Sequence, residues 1–178
     1  VAGELIRVVD EWDDHTVLWL MNALRGEDRR EIAATRGVFN AGDLFVDWRL
    51  AWSATLARGI VREVYGFPVA IFGVVPMTHG VGQACLLATD ALKPGMTRSL
   101  VHLLRRQWEP VVRRDSGLHR IEALSIEGHH GAHRLLRALG CQHTGTRVAM
   151  GRNGEDFHEF TWLNHDLIRQ RKEKLQCA

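Results

Sequence analysis

The stretch 127-EGHHGAHRLLRALGC-141 sets three histidines ahead of an apolar, arginine-studded run. Two readings compete for it. In a helix His129 and His133 share one face, a spacing that lets two imidazoles reach one zinc ion. A hydrolytic site of the HExxH type, however, needs a glutamate beside the first histidine, and His130 stands there. A third ligand would have to come from His143, His158 or Asp156. The expectation is therefore that no metal is bound, and that the histidines are solvated polar residues at a helix start. The second reading takes residues 129–140 as a helix that Gly140 stops. A strand, 119-HRIEALSIE-127, precedes it. Two strands follow, 143-HTGTRVAMG-151 and 155-EDFHEFTWL-163, joined by the turn 152-RNG-154.

Working outward, Pro94 and Gly95 open a helix over 96–114, apolar at Leu100, Leu103, Leu104, Trp108, Val111 and Val112, with Pro110 to kink or end it. Before it, 60-IVREVYG-66 and 67-FPVAIFGVVP-76 read as a hairpin joined at Gly66, and 83-QACLLATD-90 as a third strand. The front of the chain gives a strand, 5-LIRVVD-10, a cap at Asp13 and Asp14, and helices over 15–24 and 27–37, the latter stopped by Gly37. In 43–59, Leu44, Trp48, Trp52 and Leu56 form an apolar stripe on a helix capped by Asp43 and ended by Gly59. This order predicts an α+β fold: a mixed, mostly antiparallel sheet flanked by helices. It forms one domain over 1–163, with a peripheral, helix-prone tail over 164–178.

Composition narrows the function classes. The chain has 178 residues, 46% of them hydrophobic, enough for one core. No apolar run approaches the roughly 20 residues of a membrane-spanning helix. The acidic start VAGELIRVVDEWDD is unlike a secretory leader, so the expectation is a soluble protein kept inside a cell. Cys85, Cys141 and Cys177 lack CxxC spacing, which speaks against a disulfide framework or a zinc ribbon. Among 23 basic residues arginine outnumbers lysine 20 to 3, and arginine favours bidentate contacts to carboxylates, phosphates and neighbouring subunits. No basic tract is interleaved with aromatics, so specific nucleic-acid binding is not expected.

The order strand, polar turn, A-x-R-x-L-x-x-L-G-C, hairpin resembles the second half of the GNAT acetyltransferase fold. Ala132, Leu135, Leu139 and Gly140 stand at the matching positions. The blocks 24-LRGEDRREIAATRG-37, 65-YGFPVAIFGVVP-76, 85-CLLATDAL-92, 135-LLRALGC-141 and 155-EDFHEF-160 resemble a GNAT-like family of tailed bacteriophages. That family includes an internal-core virion protein of short-tailed phages. Its pattern contains an R-x-x-D-x-x-E segment ahead of a helix.

The resemblance implies a virion protein, present in several copies, docking against capsid, portal or internal proteins, and found in host cytoplasm during assembly. No cofactor is then expected. If the chain is enzymatic, it implies an N-acetyltransferase using acetyl-CoA. The phosphate loop would fall at 88-ATDALKPGMTRS-99, where Lys93, Gly95 and Arg98 are the candidate cofactor contacts; Pro94 has no N–H to offer. The tyrosine that usually protonates the leaving thiolate corresponds to Leu136, and the sole tyrosine is Tyr65. Asp90, Glu127 and His129 are the candidate acids or bases. The carboxylates are expected at strand ends near the opening of the sheet, and His129 as an exposed helix-start residue.

Overall fold

The computed structural model describes residues 6–63, 66–110 and 117–176. Tyr65, the 111–114 end of the expected helix with Val111 and Val112, and Cys177 lie outside the described residues, as does the side chain of Trp108. The chain runs β1 (Ile6–Val9), α1 (Asp14–Asn22), α2 (Gly26–Arg36), α3 (Ala41–Ala51), β2 (Leu56–Glu63), β3 (Pro68–Thr78), β4 (Val81–Ala88), α4 (Thr97–Pro110), β5 (Arg120–Ile126), α5 (His130–Ala138), β6 (Gln142–Arg147), β7 (Phe157–Leu163) and α6 (His165–Gln176). The strands form one seven-stranded sheet in the order β1-β2-β3-β4-β5-β7-β6. The expected α+β architecture with helices on both sides is present.

Helix starts follow the sequence where a short polar side chain reaches the free N–H groups. Asp13 accepts from the backbone N–H groups of His15 and Thr16 to open α1. The cap of α3 is Asn40, not Asp43, because Asn40 Oδ1 accepts from Gly42 and Asp43 N–H. The long helix expected over 43–59 ends at Ala51. A single 3₁₀ turn, Trp52–Ala54, follows, and Leu56 already begins β2. Gly59, expected as a helix stop, is a strand residue. A Cβ there would come within 2.4 Å of Val8 Cγ1, so glycine is what lets β1 approach β2. The stripe was real as burial: Leu44, Trp48 and Trp52 pack with Val17, Leu20, Met21, Ile60 and Ile71 under α1–α3.

A second layer lies on the opposite face, where Leu100 and Leu104 of α4 and Leu135 of α5 cover Val61, Ala70, Phe72 and Ala88. Each fully buried side chain of this kind contributes about 1.5–3 kcal/mol of transfer free energy. Helix α5 stops as expected at Gly140, whose φ of +90° suits a residue without a Cβ. The turn 152-RNG-154 is part of a longer connection over 148–156. Its Arg152 N–H donates to Ala34 O on α2 (2.8 Å), and the loop is held against the α2 side of the molecule. The tail forms α6, tied back by Arg171 to His119 Nδ1 (3.0 Å) and Gly117 O (3.0 Å). No helix among the described residues is long and apolar enough to cross a membrane.

The sheet is antiparallel except between β4 and β5. These two pair in parallel only over Val81–Gln83 with Arg120–Glu122. Beyond that point, Ala84–Leu87 and Ala123–Ser125 line opposite walls of an opening in the sheet.

Candidate functional site

The opening between β4 and β5 is a cavity of about 420 Å³ that joins the two faces of the sheet. From one face come Ile32, Leu44 and Trp48; from the other come Leu104, Leu136 and Leu139. The volume of this passage lies in the roughly 300–1,000 Å³ range of small-molecule sites.

Helix α2 supplies the charged groups. Asp28, Glu31, Ile32 and Thr35 line the cavity, as helical spacing allows for residues three and four apart. Asp28 is buried, 3% exposed. Arg25 donates to it through Nε (3.0 Å) and Nη2 (3.1 Å), a bidentate pair, and Ala88 N–H donates to Oδ2 (2.7 Å). Ala88 C=O in turn accepts from Arg25 N–H (3.0 Å). Burial pushes the Asp28 carboxyl above its ordinary range, against the pull of Arg25.

Glu31 Oε2 accepts from Ser125 Oγ (3.1 Å) and Ile126 N–H (3.0 Å) on β5, and lies 3.2 Å from His129 Nδ1. A carboxylate oxygen accepts, so the contact with Glu31 places a proton on Nδ1 and leaves Nε2 as the nitrogen turned toward the cavity. Nε2 is buried without a hydrogen-bond partner, and Asp28 Oδ1 stands 3.6 Å away. His129 is 5% exposed. The expectation of a solvated helix-start residue is therefore wrong here. Arg30, which donates to Glu127 O (2.8 Å), fixes the loop that carries His129 against α2.

The other two histidines divide. His130 is exposed, as expected. His133 is 6% exposed, its ring 5.2 Å from Phe160 and 5.0 Å from His158; burial, then His158, lower its pKa. His129 and His133 thus face different partners. Among the described residues, no group of three or more His, Cys, Asp or Glu side chains is placed to hold a metal ion. Cys85 lines the cavity, but burial pushes its thiol up to about 11, which makes it a poor nucleophile.

The nominated carboxylates are not in the opening. Asp90 and Glu127 are both exposed and neither lines it, because β4 and β5 end before them and their side chains reach solvent. Asp90 lines an adjoining recess of about 630 Å³ with Thr89, Lys93, Thr97, His130 and Arg134. Arg25, His129 and Leu135 form the wall that the two spaces share. Lys93 Nζ donates to Asp90 O (2.7 Å), and Pro94–Met96 is a 3₁₀ turn leading into α4. Gly95 and Arg98 are exposed and stand outside the recess. Of the three expected cofactor contacts, only Lys93 lines it.

Sequence reasoning passed over Arg25, Asp28 and Glu31 as site residues. The signal was present in 25-RGEDRRE-31: three charged residues spaced by three along a helix, next to apolar Ile32.

No family model matches the chain, and no curated protein sequence matches it. Solved structures do. A spermidine N-acetyltransferase from Vibrio cholerae, in complex with CoA and spermine, superposes with a TM-score of 0.64 at 14% identity, covering 92% of this chain and 96% of that one. This chain has the GNAT acetyltransferase fold. A ribosomal-protein-S5-alanine acetyltransferase from Vibrio fischeri gives a TM-score of 0.61 at 16% identity, with 91% and 93% covered. A GNAT-family acetyltransferase from Bacillus anthracis gives 0.64 at 14%, with 89% and 93% covered. In the GNAT fold of this chain, the divergence of β4 and β5 is the feature that creates the passage, and α2 and α5 furnish its polar wall.

Proposed function

We propose that the chain is an N-acyltransferase that moves an acyl group from a CoA thioester to an amine. The observation that carries this reading is His129, whose Nε2 is buried without a hydrogen-bond partner in the wall common to the passage and the recess. The thioester enters from the recess beside Lys93 and Arg134, which attract its phosphates. The amine enters from the α2 side, where carboxylates suit a cation. The cation first gives up one proton to solvent; the neutral amine nitrogen then attacks the thioester carbonyl carbon, the N–C bond forms and the C–S bond breaks. His129 Nε2 takes the proton from nitrogen and returns it to the thiolate sulfur, a task that Leu136 cannot perform. Glu31 keeps His129 in the required tautomer. The CoA complex of the Vibrio cholerae enzyme supports the cofactor class.

The test is thiol release from acetyl-CoA with a panel of polyamines and N-terminal peptides, beside calorimetry with acetyl-CoA. Turnover supports the reading; no binding at millimolar acetyl-CoA defeats it.

A second reading is favoured by a specific feature. Asp28 and Arg25 occupy both backbone groups of Ala88 on the open edge of β4, and the connection after β4 sets an exposed carboxylate, Asp90, in the recess that a phosphate would have to enter. A scaffold with such an entrance fits a bacteriophage virion protein, in several copies, docked against capsid, portal or internal proteins. Absence of the chain from purified particles would sink that reading.

A further inference from the structure

Along α2 the residues that line the opening pass from buried to exposed. Asp28 is buried, the Glu31 side chain is 26% exposed, Thr35 is exposed, and the Arg36 side chain is 42% exposed. Residues at this spacing share one side of a helix, so the route from solvent to the buried site runs along α2. Half-buried Trp48 of α3 and Met150 of the 148–156 connection, 39% exposed, also line the opening and are reached by solvent.

Negative charge is confined to the inner end of this route. Arg25 cancels Asp28 through two hydrogen bonds. Ser125, Ile126 and His129 engage Oε2 of Glu31, and among the described residues nothing donates to its Oε1. Glu31 is thus the carboxylate left to hold an ammonium. The further side chains that α2, α3 and the 148–156 connection contribute are Ile32, Leu44, Trp48 and Met150, with the Thr35 hydroxyl and Arg36. The Arg36 guanidinium is paired with Asp47, which does not line the opening.

Resting on the acyl-transfer reading above, we infer that the acceptor is a primary monoamine with an apolar, aryl-bearing body. Its ammonium is drawn to Glu31, and its ring lies against Trp48 and Met150, since aromatic rings pack favourably on indole and on a thioether. A second ammonium, as in a polyamine, is desolvated beside Ile32 and Trp48 with no carboxylate to pair it and with Arg36 at the rim.

The experiment is steady-state transfer from acetyl-CoA to 2-phenylethylamine, n-butylamine and putrescine, which is n-butylamine with a second terminal amine. It is run on the full chain and on Thr35→Glu and Met150→Ala, both at exposed positions that the fold tolerates changing. Expected kcat/KM is about tenfold higher for 2-phenylethylamine than for n-butylamine, the scale of partly burying an aromatic side chain. For putrescine it is lower than for n-butylamine by about tenfold or more, the scale of an uncompensated polar group. Thr35→Glu supplies the missing carboxylate and narrows the gap between n-butylamine and putrescine. Met150→Ala narrows the gap between 2-phenylethylamine and n-butylamine, chiefly through KM. The expected ranking, with either gap narrowed by its variant, supports the inference. Putrescine used as well as n-butylamine, 2-phenylethylamine used no better than n-butylamine, or gaps that neither variant moves each overturn the inference and leave acyl transfer standing. So does turnover of N-terminal peptides alone, or acetyl-CoA binding without turnover of these amines. Failure of acetyl-CoA to bind overturns the inference and the acyl-transfer reading together.

Discussion

Around His129 the polar groups are buried or half-buried and, His129 Nε2 apart, matched to one another, whereas Lys93 and Asp90 in the adjoining recess are exposed. Glu31 meets Ser125, Ile126 and His129 from two other elements, and Asp28 meets Arg25 and Ala88. At the start of α4 the one cationic side chain with a described contact, Lys93, reaches only the carbonyl of Asp90. A buried network tolerates few misfits, because an orphaned partner costs about 1–3 kcal/mol. An exposed set carries no such constraint. The difference teaches that, on the acyl-transfer proposal, the orientation of His129 is built into this fold more firmly than any hold on a phosphate.

The largest effect that would break the comparison lies at His129. His129→Ala is expected to lower kcat for acyl transfer by about 10²–10⁴, as for loss of one positioned acid or base, with the Kd for the thioester little changed. Steady-state kinetics and calorimetry on the same preparation check this. An undiminished kcat would remove His129 from the chemistry.

Next comes Glu31→Ala, which leaves Ser125 Oγ and the Ile126 N–H without their acceptor. A loss of about 1–3 kcal/mol of stability is expected, read from the denaturant midpoint. Rate should fall as well, because Nδ1 is no longer held protonated. Full activity with lowered stability would make Glu31 a purely structural residue.

At the open end the effects should be small. Lys93→Ala and Arg134→Ala are each expected to weaken thioester binding by less than about tenfold, and raising the salt concentration should erase much of the difference, since exposed charges are screened beyond about 8–10 Å at physiological ionic strength. A loss of a hundredfold in titration would show a true phosphate cradle and end the contrast between the two regions.

Much of the fold could be read from residues whose behaviour is local. Gly140 with φ +90° and Asp13 with its two accepted N–H groups depend on a few neighbouring residues, and both were legible. The stripe Leu44, Trp48, Trp52 was legible as burial, but its continuation to Leu56 was not. A strand residue next to a helix can fill the same core, and Gly59 makes sense only once Val8 stands opposite it. The site shows the same division. His129 was visible as a candidate. Its burial, and its pairing with Glu31 98 positions away, arise from the packing of α2 against β5, which no local pattern announces. Asp90 and Glu127 were chosen because they follow strand ends. The strands end before those positions, so both side chains reach solvent.

The smallest expected effects are on stability as a function of pH, and they carry opposite signs in the two kinds of environment. Glu159 lies on β7, where Arg147 (2.9 Å) and Arg120 (2.9 Å) bracket it; the bond from Arg147 chiefly holds its carboxyl below the ordinary range. A depressed carboxylate stabilises the fold above its unfolded pKa, and that contribution fades as pH falls through the folded value. The stability gap between wild type and Glu159→Gln should accordingly shrink as pH is lowered below about 4.5. Asp28 behaves in the reverse sense. Burial raises its carboxyl, so its favourable contribution is complete below the unfolded value and declines as pH rises from about 4 through the folded value. Relative to Asp28→Asn, the wild type should lose stability over that rise. Urea midpoints measured from pH 3 to pH 7 for the three proteins would give difference curves of opposite slope. If the Asp28→Asn curve slopes with that of Glu159→Gln, Arg25 outweighs desolvation, and the network at the splay is an ordinary ion pair rather than a buried site held ready for a ligand.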